Sequence, residues 1–134
     1  MKYFIINTSE EKRGFIIMNY YVGVDLGGTN VRACKMDDDG NILEEYVTKS
    51  YGLVGPKEKI RDAVFSVLDQ ITDIDKTQGI GVAIPGPVDI YNRVMPISNN
   101  LVGFENYKIA DLIDQYIATP VKYRESEAIE EVAQ

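Results

Sequence analysis

A short turn near the beginning of the chain combines an acidic residue with two glycines and a threonine. The sequence VDLGGTN runs from Val24 to Asn30 and places Asp25 near the end of an apolar strand pattern. Because glycine has no side chain, its backbone can approach a ligand closely, and neighbouring amides can point into one concavity. Such a turn suits the oxygens of a phosphate group, to which the threonine hydroxyl adds a donor. Asp25 would then hold magnesium through water, since magnesium loses its hydration shell reluctantly.

The same turn also allows a plainer interpretation, a tight β-hairpin in which Asp25 is a capping group. The pattern is not a Walker loop, because no Gly-Lys-Ser/Thr follows, and the dinucleotide fingerprint G-x-G-x-x-G is missing. From these residues alone, phosphate binding and a structural hairpin both remain open.

Composition excludes several kinds of chemistry. The 134 residues include no histidine and one cysteine, Cys34, which rules out imidazole catalysis, an internal disulfide and a cysteine-cluster zinc site in this sequence. The formal net charge is −7 and no basic stripe is present, so we expect no nucleic-acid partner. No apolar run approaches membrane-spanning length, and no signal-peptide core is present. We therefore expect a cytoplasmic protein without a membrane partner.

Hydrophobic periodicity predicts the elements that must position the turn. The order is β-β-β-α-β-α-β-α, which predicts an α/β fold with a mixed sheet. Strands are predicted at 20–25, 29–36, 42–48, 79–84 and 119–123, and helices after Gly55-Pro56, at 107–117 and at 127–133. The residues expected to be buried by the first two helices are Ile60, Val64, Val67, Leu68 and Ile71, and then Ile109, Leu112, Ile113 and Ile117.

Two further segments have alternative interpretations. The acidic run at 37–41 does not have the spacing of a calcium loop, and a solvated hairpin turn with Gly40 at positive φ is favoured. Residues 1–17 are expected to be a leader or a loose arm, with the folded domain at 18–134, because MNYYVGVDLGG from Met18 has the pattern of a natural start. The alternative for this leader is an extra edge strand from Tyr3 to Ile6.

Four segments in succession resemble a known family. YVGVDLGGTNVRA (21–33), GIGVAIPGPVD (79–89), ISNNLVGFENYKIADLI (97–113) and PVKY (120–123) are similar, in this order, to signatures of the ROK family of sugar kinases and repressors. The resemblance covers essentially all of the chain after Met18. It implies an RNase H-like fold of the actin-like ATPase type, present here as a single N-terminal lobe.

The resemblance also implies ligands and the residues that hold them. Mg-ATP and a glucose-like hexose are implied, and zinc is not. Gly86 would let the backbone pass close to the sugar, and Asn100 would hydrogen-bond a sugar hydroxyl, although an asparagine in a loop can also close its own turn. The residues implied at the ATP phosphates are Asp25, Gly27, Gly28, Thr29 and Asn30, with Asp25 as the water-mediated magnesium ligand.

The chain departs from the family at the catalytic position. Kinases of this family have an asparagine and an aspartate after the last of these strands, and the aspartate takes the proton from the sugar hydroxyl. Here Glu125, an implied sugar contact, stands at the asparagine position and Ser126 at the aspartate position. A serine hydroxyl cannot accept that proton near neutral pH, so we expect Ser126 to be inactive. An alternative is that Ser126 caps the last helix.

Three functions follow from these observations. The first is the N-terminal lobe of a hexose kinase, inactive alone because of Ser126 and because no second lobe follows. The second is a non-catalytic regulatory remnant that binds a sugar or a phosphate, and the third is a fragment of a ROK-type transcriptional regulator. Whether the gene is truncated or the protein genuinely reduced stays open. The face that would meet a second lobe is expected to be partly apolar and uncovered. Because exposed apolar patches promote self-association, we expect a homo-oligomer.

Overall fold

One sheet and two α-helices make up most of the regular structure in the part of the chain that the structure describes. A computed structural model describes the backbone of Lys2–Ile5 and all atoms of residues 19–118. The strands are β1 (Lys2–Ile5), β2 (Tyr21–Leu26), β3 (Asn30–Met36), β4 (Ile42–Lys49) and β5 (Gly79–Ala83), and the helices are α1 (Lys57–Asp69) and α2 (Ile109–Ala118). A short 3₁₀ helix, Ile74–Lys76, precedes β5.

The five strands form one mixed sheet in the order β1-β5-β2-β3-β4. The hairpins β2-β3 and β3-β4 are antiparallel, whereas β5 lies parallel to β2. The parallel pair requires a long crossover, and α1 provides it. Because β2 and β5 are parallel, their carboxyl ends lie at the same end of the sheet. The glycine turn after β2 and the Pro-Gly-Pro loop at 85–87, after β5, are therefore close together.

One face of the sheet forms the core. In β2 the buried residues alternate with exposed or half-buried ones, and β3 repeats the alternation, as expected for strands with one covered face. The main buried apolar side chains of the sheet and of the loops before α2 are Val22, Val24, Leu26, Val31, Ala33, Ile80, Val82, Met95, Leu101 and Phe104.

The apolar faces of the two helices agree with the sequence except at one residue. All five side chains predicted for α1 are buried. In α2, Ile117 is 60% exposed and Tyr116 is buried instead, so the prediction for Ile117 was wrong. Tyr116 lies only about 20° round the helix from Ile109, whereas Ile117 lies about 80° away, at the edge of the apolar stripe. The Tyr116 ring also packs edge-on against Phe65, and its hydroxyl donates to Asp69 Oδ1 at 2.8 Å.

The acidic run after β3 is a hairpin turn, as predicted. Gly40 has a φ of +82°, and the Asp37 carboxylate accepts hydrogen bonds from the Asp39 amide and from the amide and side chain of Asn41. The side chain and then the backbone amide of Asn41 hold the pKa of Asp37 below its ordinary value. These bonds stabilise the turn.

The two ends of the chain are only partly described. β1 pairs antiparallel with β5, at residues where an edge strand was the alternative to a leader. The rest of residues 1–18 lies outside the described part, so the division at Met18 stays a prediction. The strand predicted at 119–123 and the helix at 127–133 also lie outside it. Neither helix within residues 19–118 has the length and apolar composition needed to cross a bilayer.

A buried lysine on the core face of β3 leads to a first prediction. Lys35 Nζ donates to the Thr72 carbonyl at 2.8 Å and lies 3.4 Å from Glu44 Oε2. Burial would raise the pKa of Glu44, but hydrogen bonds from the Thr72 amide and the Tyr46 hydroxyl, with that from Lys35, lower it overall. Glu44 therefore stabilises the fold above its unfolded-state pKa, and this contribution disappears as the pH falls through its lower folded-state pKa.

Glu44→Gln should therefore lower the free energy of unfolding by about 1 kcal/mol at neutral pH. The difference from the unsubstituted chain should shrink as the pH falls from the unfolded-state pKa of Glu44 through its lower folded-state pKa, because below the latter the carboxyl is protonated in both states. Urea denaturation at a series of pH values measures this dependence. Glu105→Gln, at an exposed residue, is the control and should change stability by less than about 0.5 kcal/mol. An equal loss at every pH would contradict the electrostatic explanation.

Candidate functional site

The glycine turn between β2 and β3 leaves backbone donors available. The Gly27 amide donates to the Asn30 carbonyl at 2.9 Å, which closes the hairpin. The amides of Gly28 and Thr29 make no hydrogen bond to any residue of the described part of the chain. The Thr29 side chain is exposed beside them. The turn therefore offers two adjacent amides and a hydroxyl, which are donors that suit a phosphate oxygen.

Asp25 lies one strand position before the buried Leu26, on the sheet face opposite the core. Its side chain is exposed, and its cross-strand neighbour is Arg32. Arg32 forms an ion pair with Glu45, and no hydrogen bond or ion pair joins it to Asp25. The Asp25 carboxylate therefore has no partner among residues 19–118. It fits a magnesium ion held through water, and no group of three metal-ligating side chains occurs in that part of the chain.

The segment after β4 donates hydrogen bonds to the carbonyl groups of the glycine turn. Ser50 is fully buried, and its hydroxyl donates to the Gly27 carbonyl at 2.6 Å. The Ser50 amide donates to the Thr29 carbonyl at 2.9 Å, and the Leu53 amide donates to the Gly28 carbonyl at 3.1 Å. Three successive carbonyls of the turn thus have donors from this one segment.

The loop that carries Asn100 packs directly against the turn. A β-carbon built on Gly28 would lie 3.1 Å from the Asn100 carbonyl oxygen. The Asn100 side chain is exposed and has no hydrogen-bond partner in the described residues, so the alternative that it closes its own turn has no bond to support it there. Ser98, which is buried, donates to the Leu101 carbonyl and stabilises the loop.

Gly86 belongs to the loop that follows β5. Its φ is +94°, a conformation that favours glycine, and a built β-carbon would lie 3.6 Å from Met95 Sδ and 3.8 Å from the Ile97 carbonyl. The chain therefore passes close to the segment that leads to Asn100. The structure therefore brings this loop and the Asn100 loop together at the end of the sheet that carries the glycine turn.

Some of the predicted site residues come together, and two cannot be placed. Gly28 and Asn100 are in contact, with Asp25, Thr29 and Asn30 on the same hairpin. Glu125 and Ser126 lie outside the described residues, so their roles stay predictions. Sequence reasoning missed Ser50 and Gly52. The available signal was a serine and a glycine directly after a strand, which are ordinary turn residues.

Several large apolar side chains are exposed around these loops. They are Tyr51, Leu53, Val54, Ile97 and Val102. An uncovered apolar face of this kind was expected, and self-association through it stays a prediction.

Comparison with known proteins identifies a family and several relatives that resemble the chain. The family model described as ROK family matches residues 21–128. The glucokinase of Thermotoga maritima is 28% identical over 90 residues, which are 67% of this chain and 28% of that protein. A crystal structure of a ROK family glucokinase from Streptomyces griseus in complex with glucose and AMPPNP has a TM-score of 0.63 at 22% identity, over 76% of this chain and 31% of that one.

A second structure, the ROK hexokinase from Thermus thermophilus, has a TM-score of 0.59 at 25% identity, over 75% of this chain and 33% of that one. The chain thus spans about a third of the length of the relatives it matches. The two structures confirm the predicted α/β fold, a single lobe of the actin-like ATPase type. The family model matches most of the chain, including the glycine turn and the Asn100 loop. The chain therefore belongs to the ROK family.

Proposed function

We propose that the chain is a ligand-binding lobe of the sugar-kinase type, which holds the phosphates of Mg-ATP on the glycine turn and a glucose-like hexose on the Asn100 loop. The observation that carries this proposal is the contact between the two loops: the free amides of Gly28 and Thr29 belong to a turn that touches Asn100. Donors for phosphate and a side chain for a sugar hydroxyl therefore lie next to each other, as transfer between two such ligands would require.

Each residue of the turn would have a distinct task. Gly28 and Thr29 would donate backbone hydrogen bonds to phosphate oxygens, and the Thr29 hydroxyl would add another. Gly27 would keep the hairpin closed through its bond to the Asn30 carbonyl. Asp25 would orient the hydration shell of the magnesium ion. The bound nucleotide would supply the phosphoryl group, while magnesium would offset the phosphate charge.

The sugar would be held by two loops. Asn100 offers both a donor and an acceptor on one exposed amide, which suits a sugar hydroxyl. Gly86 would leave space for the ring beside its backbone. Support for a hexose comes from the relatives, one of which is named a glucokinase and another a hexokinase.

We do not propose phosphoryl transfer by this chain alone. The residue at the family's base position is Ser126, and its hydroxyl stays protonated near neutral pH. A non-catalytic role in binding or regulation is therefore the second candidate function, and it uses the same site. Neither candidate predicts sugar-dependent ATP turnover by the purified chain, so turnover above background would contradict both.

Binding of both ligands is tested by calorimetric titration with Mg-ATP and with glucose. In the same experiment, Asn100→Ala should weaken glucose binding about ten-fold, since a lost hydrogen bond to a buried hydroxyl has about this effect, and should leave Mg-ATP affinity unchanged. Asn99→Ala, at the neighbouring exposed asparagine, is the matched control and should bind as the unsubstituted chain does. No heat with either ligand at millimolar concentration would overturn the proposed function.

A further inference from the structure

We infer that the segment 50–53 positions the glycine turn against the Asn100 loop, with Ser50 and Gly52 as its positioning residues, and that it makes nucleotide and sugar binding interdependent. The identity of the two ligands rests on the proposed function. The positioning itself follows from hydrogen bonds and packing of the ligand-free chain.

Ser50 and Leu53 determine the direction of the amides in the turn. A trans peptide is planar, so the carbonyl of one residue and the amide of the next point in opposite directions. The Gly27 and Gly28 carbonyls accept hydrogen bonds from the Ser50 hydroxyl and the Leu53 amide. The amides of Gly28 and Thr29 must therefore point away from the segment, towards the space where a phosphate would lie.

Ser50 is suited to this task because its buried hydroxyl both donates and accepts a hydrogen bond. Its side chain is fully buried. Besides donating to the Gly27 carbonyl, this hydroxyl accepts a hydrogen bond from the Gly52 amide at 3.3 Å. Alanine at this position would remove the side-chain donor of the half-buried Gly27 carbonyl, and the turn could then rotate this peptide.

Gly52 fills the gap between the two loops, where no side chain fits. A β-carbon built on it would lie 2.6 Å from the Asn100 carbonyl oxygen, 2.8 Å from Leu101 Cδ2 and 2.9 Å from Gly28 Cα. Two of these, the Asn100 oxygen and Gly28 Cα, are backbone atoms, which cannot move away by a side-chain rotation. The Gly52 carbonyl also accepts a hydrogen bond from the Val102 amide at 2.7 Å. The segment thus bonds the turn on one side and the Asn100 loop on the other.

A ligand on either loop would therefore restrain the other. If glucose fixes the Asn100 loop, the segment holds the glycine turn in place, and Mg-ATP should bind more tightly. Thermodynamic linkage requires the reverse effect to have the same size. A several-fold increase in affinity is within the range of such coupling.

The variants that test this are Ser50→Ala and Gly52→Ala. Ser66→Ala is the matched serine control, since the Ser66 hydroxyl donates to the Ala63 carbonyl on α1 at 2.8 Å, away from both loops. Gly23→Ala is the glycine control, because a β-carbon there would meet only the side-chain atoms Cys34 Sγ at 3.2 Å and Met36 Cε at 3.5 Å. Thermal denaturation of all four shows which remain folded.

The first measurement is the amide NMR spectrum of the ligand-free chain. We expect Ser50→Ala to shift the amides of Gly28 and Thr29 and also that of Val102 in the neighbouring loop, whereas Ser66→Ala leaves all three unchanged. If Gly52→Ala does not fold, Ser50→Ala decides the matter alone. Shifts confined to the segment itself would overturn the positioning role.

The second measurement is the affinity for Mg-ATP with and without saturating glucose. Ser50→Ala should weaken Mg-ATP binding about ten-fold and bring the ratio of the two affinities close to one, and the two controls should keep the ratio of the unsubstituted chain. An unchanged ratio in Ser50→Ala would overturn the interdependence. If the unsubstituted chain binds neither ligand, the proposed function is wrong, and the amide spectra then decide the positioning role by themselves.

Discussion

Replacing Phe104 with alanine is expected to lower the free energy of unfolding by about 3–5 kcal/mol. Phe104 is the largest fully buried side chain in residues 19–118, and its ring meets Tyr107 edge-on with centroids 5.1 Å apart. The substitution would open a cavity in the core beside the loop before α2, and the backbone could close it only in part. Urea denaturation followed by circular dichroism measures the loss.

The same loop offers a matched control for this substitution. Val102 is 42% exposed, so Val102→Ala should change stability by less than about 0.5 kcal/mol. Phe104→Leu retains most of the apolar volume and should give an intermediate loss. If Phe104→Ala unfolds at the same urea concentration as the unsubstituted chain, the loop before α2 does not belong to the core.

Removing the charge of Asp25 is expected to have the largest effect on ligand binding. Asp25→Asn should weaken Mg-ATP binding about 10- to 100-fold, because carboxylates that orient a metal's hydration shell contribute this much. Binding of ATP without magnesium should change little, since the amides of Gly28 and Thr29 remain in place. Titration of ATP in the presence of magnesium and in the presence of a chelator separates the two contributions.

Asp39→Asn is the control for the loss of one negative charge. Asp39 is exposed in the turn between β3 and β4, where only its backbone amide is engaged, by Asp37. It should bind Mg-ATP as the unsubstituted chain does. An Asp25→Asn chain that keeps its magnesium dependence would show that this carboxylate has no part in holding the ion.

Local patterns in the sequence were sufficient for the elements and for the turn. Local sequence patterns placed β2, β3 and β4 to within a residue or two. In β2 and β3 the pattern is an alternation, because one side of each of these strands faces apolar neighbours. Helical periodicity selected the buried face of α1. It failed at the edge of α2, where the choice between Tyr116 and Ile117 depends on what lies opposite. Tyr116 meets Phe65 and Asp69 of α1, and no property of α2 alone indicates this.

The sequence alone determined the order of the elements from β2 to α2, most of the buried residues of the two helices and the residue types of the glycine turn, because these depend on neighbours a few positions apart. Only the tertiary structure showed that the Ser50 hydroxyl, 23 positions away, donates to the Gly27 carbonyl and that Gly52 packs against both Gly28 and Asn100. Such contacts depend on the path of the chain between distant segments. A buried hydroxyl and a missing side chain carry no periodicity that could reveal their partners.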